Sequence, residues 1–234
     1  MPFTEQTLQF LTENRLRDSK EWFNEHKEDY RRLVLEPMQE LVGKLTPTML
    51  DIDPQFTTEP KVDKTICRIW RDTRYSKDKS RYRENMWLIF KRGKMHGTQV
   101  PGLYFEISPS GFCYGGGFYS PSTDYMNTLR KLILEGDAVA KKAMKAYKEQ
   151  SVFTLEGEKF KRPRYPNAPE EQRRWLELRG IHFEAESRDA GLLFSDALAD
   201  KLCEDFRHLA PIYQFLLHTS QILHEKELQR PALL

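Results

Sequence analysis

The stretch L-Y-F-E-I-S-P-S-G-F-C-Y-G-G-G-F, residues 103–118, decides the fold of this chain. Over residues 103–108 apolar and polar side chains alternate with a period of two, which is typical of a strand with one face in the core. The turn residues Pro109-Ser110-Gly111 separate this run from a second extended run over 112–118. The stretch therefore predicts an antiparallel hairpin within a sheet.

Working outward from the hairpin, similar patterns predict more strands, and apolar residues at helical spacing predict helices on both sides. The predicted strands cover residues 65–70, 86–92, 103–108, 112–118 and 176–186. The other predicted segments are N-terminal helices over 4–50, helices over 120–150, a basic loop over 151–174, and C-terminal helices over 195–226. Pro37 either kinks a helix or begins a new one, and Pro211 predicts a helix break.

These segments predict the α+β class: a single domain over 1–234 with a mainly antiparallel sheet of about five strands, flanked by N-terminal and C-terminal helices. The three cysteines are widely spaced without a Cys-x-x-Cys pair, so neither a disulfide framework nor a zinc ribbon is indicated. The N-terminus has neither a basic leader nor an apolar core. We therefore expect a cytoplasmic protein without membrane association.

The net charge of the 234 residues is only +2, so any affinity for nucleic acid or phosphate has to come from a local patch. One segment departs from this balance: I-C-R-I-W-R-D-T-R-Y-S-K-D-K-S-R-Y-R, residues 66–83, which we name the basic block. It contains seven Lys or Arg residues and two Asp residues, a net charge of +5. Cations packed this closely and interleaved with aromatic residues indicate a site for an anion.

Arg68 lies within an otherwise apolar predicted strand, so it needs either a carboxylate partner or a bound anion. Asp72 or Asp78 pairs with the arginines in a purely structural network, or these carboxylates orient arginines that hold a ligand. Both interpretations are compatible with the sequence. The predicted ligand-binding residues are Arg68, Arg71, Asp72, Arg74, Lys77, Lys79, Tyr82, Gly115, Gly116 and Gly117.

Gly115-Gly116-Gly117 precede a predicted helix, so their backbone N–H groups form a candidate anion-binding nest in a glycine-rich loop. Runs of glycine also serve bulges and close strand packing, and this alternative stays open. A second basic cluster, K-F-K-R-P-R-Y at residues 159–165, closes over the same ligand, contacts a nucleic-acid backbone, or is a solvated loop.

Four short motifs carry a resemblance to a known family. They are Glu21-Trp22-Phe23, R-I-W-R-D-T-R-Y-S-K-D-K at residues 68–79, the glycine run from Gly115 to Pro121, and Phe160-Lys161-Arg162-Pro163. Over nearly its whole length the chain resembles the conserved hypothetical family called domain of unknown function 2461 (DUF2461). It departs from the family pattern at Ser80-Arg81-Tyr82, where the pattern has Thr-Pro-Tyr, and at Phe160, where it has Leu. The resemblance implies a single α+β domain and brings no established activity.

The sequence contains no H-E-x-x-H, no G-x-S-x-G and no His pair at metal-ligand spacing, so no metal or cofactor is predicted. The candidates for acid or base chemistry are Asp63, Asp72, Glu106 and His182.

We expect a protein that binds a phosphate- or carboxylate-bearing ligand. The alternatives are a nucleic-acid-binding module, and a structural or protein-interaction domain with internally paired arginines. If the protein is an enzyme, metal-independent phosphoryl or phosphodiester chemistry suits several arginines best. The oligomeric state is left open.

Overall fold

A computed structural model describes residues 3–93, 95, 100–118 and 120–228. Five strands form one antiparallel sheet in the order β1-β2-β3-β5-β4. The predicted α+β class and five-stranded sheet are confirmed. The strands are β1 (Met86–Lys91), β2 (Gly102–Ser108), β3 (Gly111–Phe118), β4 (Thr154–Glu156) and β5 (Ile181–Ser187).

Four of the described helices begin where a side chain caps a free backbone N–H group. Ser19 Oγ accepts a hydrogen bond from Trp22 N at 3.2 Å, and Ser122 Oγ accepts one from Tyr125 N at 3.1 Å. The helical elements are α1 (Glu5–Arg17), α2 (Lys20–Glu25), α3 (Lys27–Tyr30), a π-helical segment (Arg31–Leu35), α4 (Glu36–Ile52), α5 (Thr123–Glu135), α6 (Ala138–Glu149), α7 (Glu170–Leu176), α8 (Ala190–Leu193) and α9 (Ala197–Leu228).

The two prolines that were expected to interrupt helices behave differently. Pro37 lies in the first turn of α4, directly after the π-helical segment, so its missing N–H falls where the hydrogen-bond pattern changes from π to α and the backbone stays helical. Pro211 lies inside the continuous helix α9, and the predicted break there is wrong. Leu209 and Ile212 beside it are each 1% exposed. Burial of this apolar face offsets the lost backbone hydrogen bond, an effect that local propensity does not include.

The predicted basic loop over 151–174 and strand over 176–186 need correction. Strand β4 lies within the predicted loop and pairs with β5, with Leu155 opposite Phe183. Helix α7 covers the end of the loop, with acidic side chains in its first turn and arginines in its last, an arrangement that favours a helix. Strand β5 therefore begins only at Ile181.

The predicted strand over 65–70 is also wrong as a regular strand. Ile66 pairs with Leu88 and Trp70 pairs with Tyr82, in two isolated antiparallel bridges. A ladder continued from the first bridge would place Trp70 opposite Glu84, so the register shifts by two residues between the bridges. This shift interrupts the ladder in the middle of the segment.

The chain divides into two compact units, each built from several segments. In the first unit, Phe105 of β2 packs between Phe3 and Phe112, with ring centroids 6.1 and 6.0 Å away. In the second, Trp175 of α7 packs against Phe183 and Phe215, at 5.3 and 6.1 Å. The single-domain organisation stays a prediction. The first unit comprises Met1–Met95, Tyr104–Tyr114 and Glu186–Glu204. The second unit comprises His96–Leu103, Gly115–Ala185 and Asp205–Leu234.

The glycine run Gly115–117 lies in strand β3, so the predicted glycine-rich loop is wrong. A Cβ added to Gly115 would lie 1.9 Å from the carbonyl oxygen of Phe183 on β5. A Cβ on Gly117 would lie 2.6 Å from His182 Cα. The glycines therefore allow β3 and β5 to approach more closely than side chains would permit. Tyr119, which follows, lies outside the described residues.

Gly115→Ala should lower the free energy of unfolding by about 2–4 kcal/mol, because the new methyl group collides with backbone that cannot move aside. Gly180→Ala is the matched control, since a Cβ there meets nothing within 4 Å. Urea unfolding of both variants measures the difference. Equal stabilities of the two variants would contradict the close approach.

Candidate anion-binding site

An aromatic cluster fixes the basic block to helix α2. Tyr82 packs against Trp70 and against Phe23 of α2, with ring centroids 4.4 and 5.1 Å apart. We call residues 66–71 the first arm of the block and residues 79–83 its second arm. Two backbone hydrogen bonds join the arms, from Arg71 N to Arg81 O at 2.7 Å and from Arg83 N to Ile69 O at 2.9 Å. Tyr82 is fully buried, so it supports the block from within and offers a ligand no surface.

The first arm of the block alternates between core and solvent. Cys67 and Ile69 are buried, whereas Arg68 points outward with 58% of its side chain exposed. Arg68 Nε donates to Asp63 Oδ1 at 2.5 Å. Asp63 has the left-handed backbone φ of 67°, which belongs to the turn that precedes the block. The carboxylate that pairs with Arg68 is thus Asp63, and neither Asp72 nor Asp78. Because Arg68 is more than half exposed, the expectation that burial forces it to have a partner is wrong.

The carboxylate of Asp78 is the most connected acidic group of the block. Its Oδ2 accepts hydrogen bonds from Arg71 and, at 2.5 Å, from Arg15 of helix α1. Its Oδ1 accepts bonds from the backbone N–H and the hydroxyl of Ser80. The Ser80 bonds, followed by those of the two arginines, hold the pKa of Asp78 well below its usual value. Two guanidinium groups therefore share one carboxylate.

Arg74 and Asp72 form a bidentate pair at the tip of the block. Arg74 Nη2 lies 2.7 Å from Asp72 Oδ2, and Arg74 Nε lies 3.0 Å from Asp72 Oδ1. The side-chain and backbone hydrogen bonds from Arg74 lower the pKa of Asp72 to about 2. Both side chains are more than half exposed, so the two parallel hydrogen bonds hold the pair and burial contributes little.

Three further cations of the block form no ion pair with any carboxylate in the described part of the chain: Lys77, Lys79 and Arg81. Lys79 Nζ donates to the carbonyl oxygen of Thr73 at 2.8 Å. The backbone N–H of Arg81 donates to Asp18 Oδ1 at 2.6 Å, which ties the second arm to the end of α1. The block thus keeps an excess of positive charge after its internal pairing.

The predicted site residues belong to both compact units. The arginines, lysines and aspartates of the block lie in the first unit, whereas Gly115, Gly116 and Gly117 lie in the second, within β3. Among the acid and base candidates, Asp63 and Asp72 pair with arginines, and Glu106 accepts a hydrogen bond from Asn85 at 2.9 Å. His182 lies on β5 in the second unit. The ligand-binding roles stay predictions.

The second basic cluster is organised by a buried arginine. Arg130 of α5 is 4% exposed and donates to the carbonyl oxygens of Leu176, the last residue of α7, and of Leu178, two residues beyond it. Its guanidinium carbon lies 4.9 Å from the ring centroid of Phe160, and that of Arg164 lies 4.0 Å away. These contacts give the cluster a packed centre, so it is not merely a solvated loop.

A family model matches residues 6–215, which include the basic block and the glycine run. The chain belongs to the DUF2461 family of conserved hypothetical proteins. A comparison with curated proteins found no match. Membership of the DUF2461 family brings a fold-wide similarity and no activity, so the chemistry of this member has to be argued from its own residues.

Two residues that position the block in this DUF2461 protein were not predicted. Arg15 and Asp18, both at the end of α1, contact Asp78 and Arg81, each 63 residues away in the sequence. Cations in the last turn of a helix are common, so Arg15 gave no separate signal.

No helix in the described part of the chain combines the length and apolarity needed to cross a membrane. The described residues also contain no cluster of three metal-ligating side chains.

Asp78→Asn should destabilise the protein at neutral pH, and the difference from wild type should shrink as the pH falls below about 4. The pKa of Asp78 is depressed in the folded state, so its stabilisation is present above the unfolded value and is lost as the pH falls toward the folded value. Urea unfolding at a series of pH values measures this. Asp51→Asn, an exposed aspartate on α4, is the control. A pH-independent difference would contradict the shared carboxylate.

Tyr82→Phe should raise the free energy of unfolding by about 1 kcal/mol, because the buried Tyr82 hydroxyl has no hydrogen-bond partner among the described residues. Tyr125→Phe is the matched control and should lower it by about 1 kcal/mol. The buried Tyr125 hydroxyl donates to Leu216 O at 2.8 Å. Thermal unfolding compares the two, and a Tyr82→Phe protein less stable than wild type would sink the prediction.

Proposed function

We propose that the basic block binds phosphate- or carboxylate-bearing anions at the protein surface. The observation that carries this proposal is the excess of cations over carboxylates. Four arginines share three aspartates in ion pairs, and three further cations form none within the described residues. A surface with this excess attracts anions and loses affinity as salt is added. The cations that form no ion pair are Lys77, Lys79 and Arg81.

Internal pairing leaves several of the arginines available. Exposed ion pairs contribute only about 0–1 kcal/mol, so an incoming anion exchanges easily with the carboxylate partner. Arg68 and Arg74 have 58% and 78% of their side chains exposed. A planar guanidinium with free N–H groups binds phosphate or carboxylate in bidentate fashion. The candidate ligand contacts are therefore Arg68, Arg74, Lys77 and Lys79.

A structural role is favoured for Arg71. Only 21% of its side chain is exposed, and it donates to Asp78, to Ser80 Oγ at 3.3 Å and to Ser76 Oγ at 3.4 Å. These contacts hold the block in shape. The basic block thus combines arginines held by several contacts, such as Arg71, with exposed cations. The structural interpretation applies to the arginines that are held in this way. We also propose the cytoplasm as the compartment, in keeping with three cysteines that form no disulfide among the described residues.

The double variant Arg74→Gln/Lys77→Gln should keep its melting temperature and lose most of the stabilisation by pyrophosphate that wild type shows, because a ligand stabilises only the state that binds it. Arg71→Ala should instead lower the melting temperature without any ligand. Thermal unfolding with and without pyrophosphate, at matched ionic strength, measures both effects.

Lys131→Gln/Lys142→Gln is the charge-matched control, since both lysines are exposed on α5 and α6. It should respond to pyrophosphate as wild type does. The proposal fails if pyrophosphate does not stabilise wild type, or if the control variant loses as much stabilisation as the block variant.

A further inference from the structure

We infer that the anion bound by the basic block is a single-stranded nucleic acid. This inference rests on the proposed function and adds the class of ligand. It comes from the aromatic side chains of the block, which the binding of a simple anion does not use. Among the described residues, Trp70 and Tyr75 are the aromatic members of the exposed large hydrophobic side chains.

The position of Tyr75 suits a stacking role. Its side chain is 94% exposed, so it contributes almost no apolar burial to folding. The Arg74 guanidinium carbon lies 6.0 Å from the Tyr75 ring centroid, which places a cation beside an open aromatic ring. An exposed ring next to a cation is the pairing with which proteins hold an unstacked base and its phosphate.

Trp70 provides a second, firmly held ring. Its contacts with Tyr82 and with Phe23, at 4.4 and 5.5 Å between centroids, fix its orientation, and 39% of it remains exposed. A ring held in place loses little conformational entropy when a base stacks on it. The block therefore offers two rings, the fixed and partly exposed ring of Trp70 and the almost fully exposed ring of Tyr75. Basic residues follow each ring in the sequence.

The charges of the block suit a chain of phosphates. Asp72 and Asp78 are each committed to arginines, which offsets their repulsion of a phosphate backbone. Lys77 and Lys79 follow Tyr75 on the same exposed segment. Long lysine stems reach phosphates at varying distances, so contacts of this kind tolerate many base sequences. We expect binding that depends strongly on salt and weakly on sequence.

The two rings favour a single strand over a duplex or an acidic peptide. Bases within a duplex are stacked on one another and present no free face to Tyr75. An acidic peptide would pair with the cations and would have no planar group to place on the rings. A single strand uses both kinds of side chain together.

Binding of a fluorescein-labelled oligothymidylate of about 15 nucleotides to the full chain, followed by fluorescence anisotropy, tests this inference. Tyr75→Ala should weaken the affinity roughly 5- to 150-fold, the range measured when a stacking residue is removed. Leu134→Ala removes an exposed side chain of α5 and should leave the affinity unchanged. Lys77→Gln should reduce the slope of log K against log salt by about 0.7.

The outcomes separate the inference from the proposed function. If pyrophosphate stabilises wild type and the oligonucleotide does not bind, the inference is overturned and the proposed function stands. If neither ligand acts, both are overturned. Equal affinity of wild type and Tyr75→Ala, tighter binding of a duplex, or tighter binding of an oligoglutamate peptide of the same length would also overturn the inference.

Discussion

The carboxylate of Asp78, shared by Arg15 and Arg71, is the interaction on which the basic block depends. The arginine side chains are only 23% and 21% exposed, so their charges are less screened than those of Arg68 and Arg74. Without a carboxylate between them, these two guanidinium groups would repel each other. The single aspartate thus fixes the block to helix α1 and sets the shape in which its exposed side chains reach solvent.

Local patterns predicted those elements whose cause is itself local. The alternation over 103–108 predicted β2 because a strand repeats its environment every two residues, and Phe105 and Ile107 are indeed fully buried. The side chains of Ser19 and Ser122 cap their helices for a similarly local reason, since each accepts a hydrogen bond from a backbone N–H three residues further along. The strand over 112–118 was predicted, but the role of its glycines was not, because that role depends on the backbone of β5, far away in the sequence. Pro211 stays helical for a similarly distant reason, the packing of its neighbours.

The candidate site shows the same division between local and distant causes. The density of charge in residues 66–83 is a property of the sequence. The residues that pair with the arginines of this segment cannot be identified from the sequence. Arg15 and Asp18 reach the block only because α1 ends beside it, and a helix end carries no mark of what lies across from it. Sequence reasoning therefore found the arginines and missed the contacts from the end of α1 that position them.

Cys67 lies inside the basic block, and its burial has a practical consequence. Burial raises the pKa of the Cys67 thiol to about 12, and its sulfur accepts a hydrogen bond from Trp87 N at 3.2 Å. A thiol held in this way does not react with an alkylating reagent until the segment around it separates from β1. The rate at which Cys67 is alkylated therefore measures how often the segment around it separates from β1.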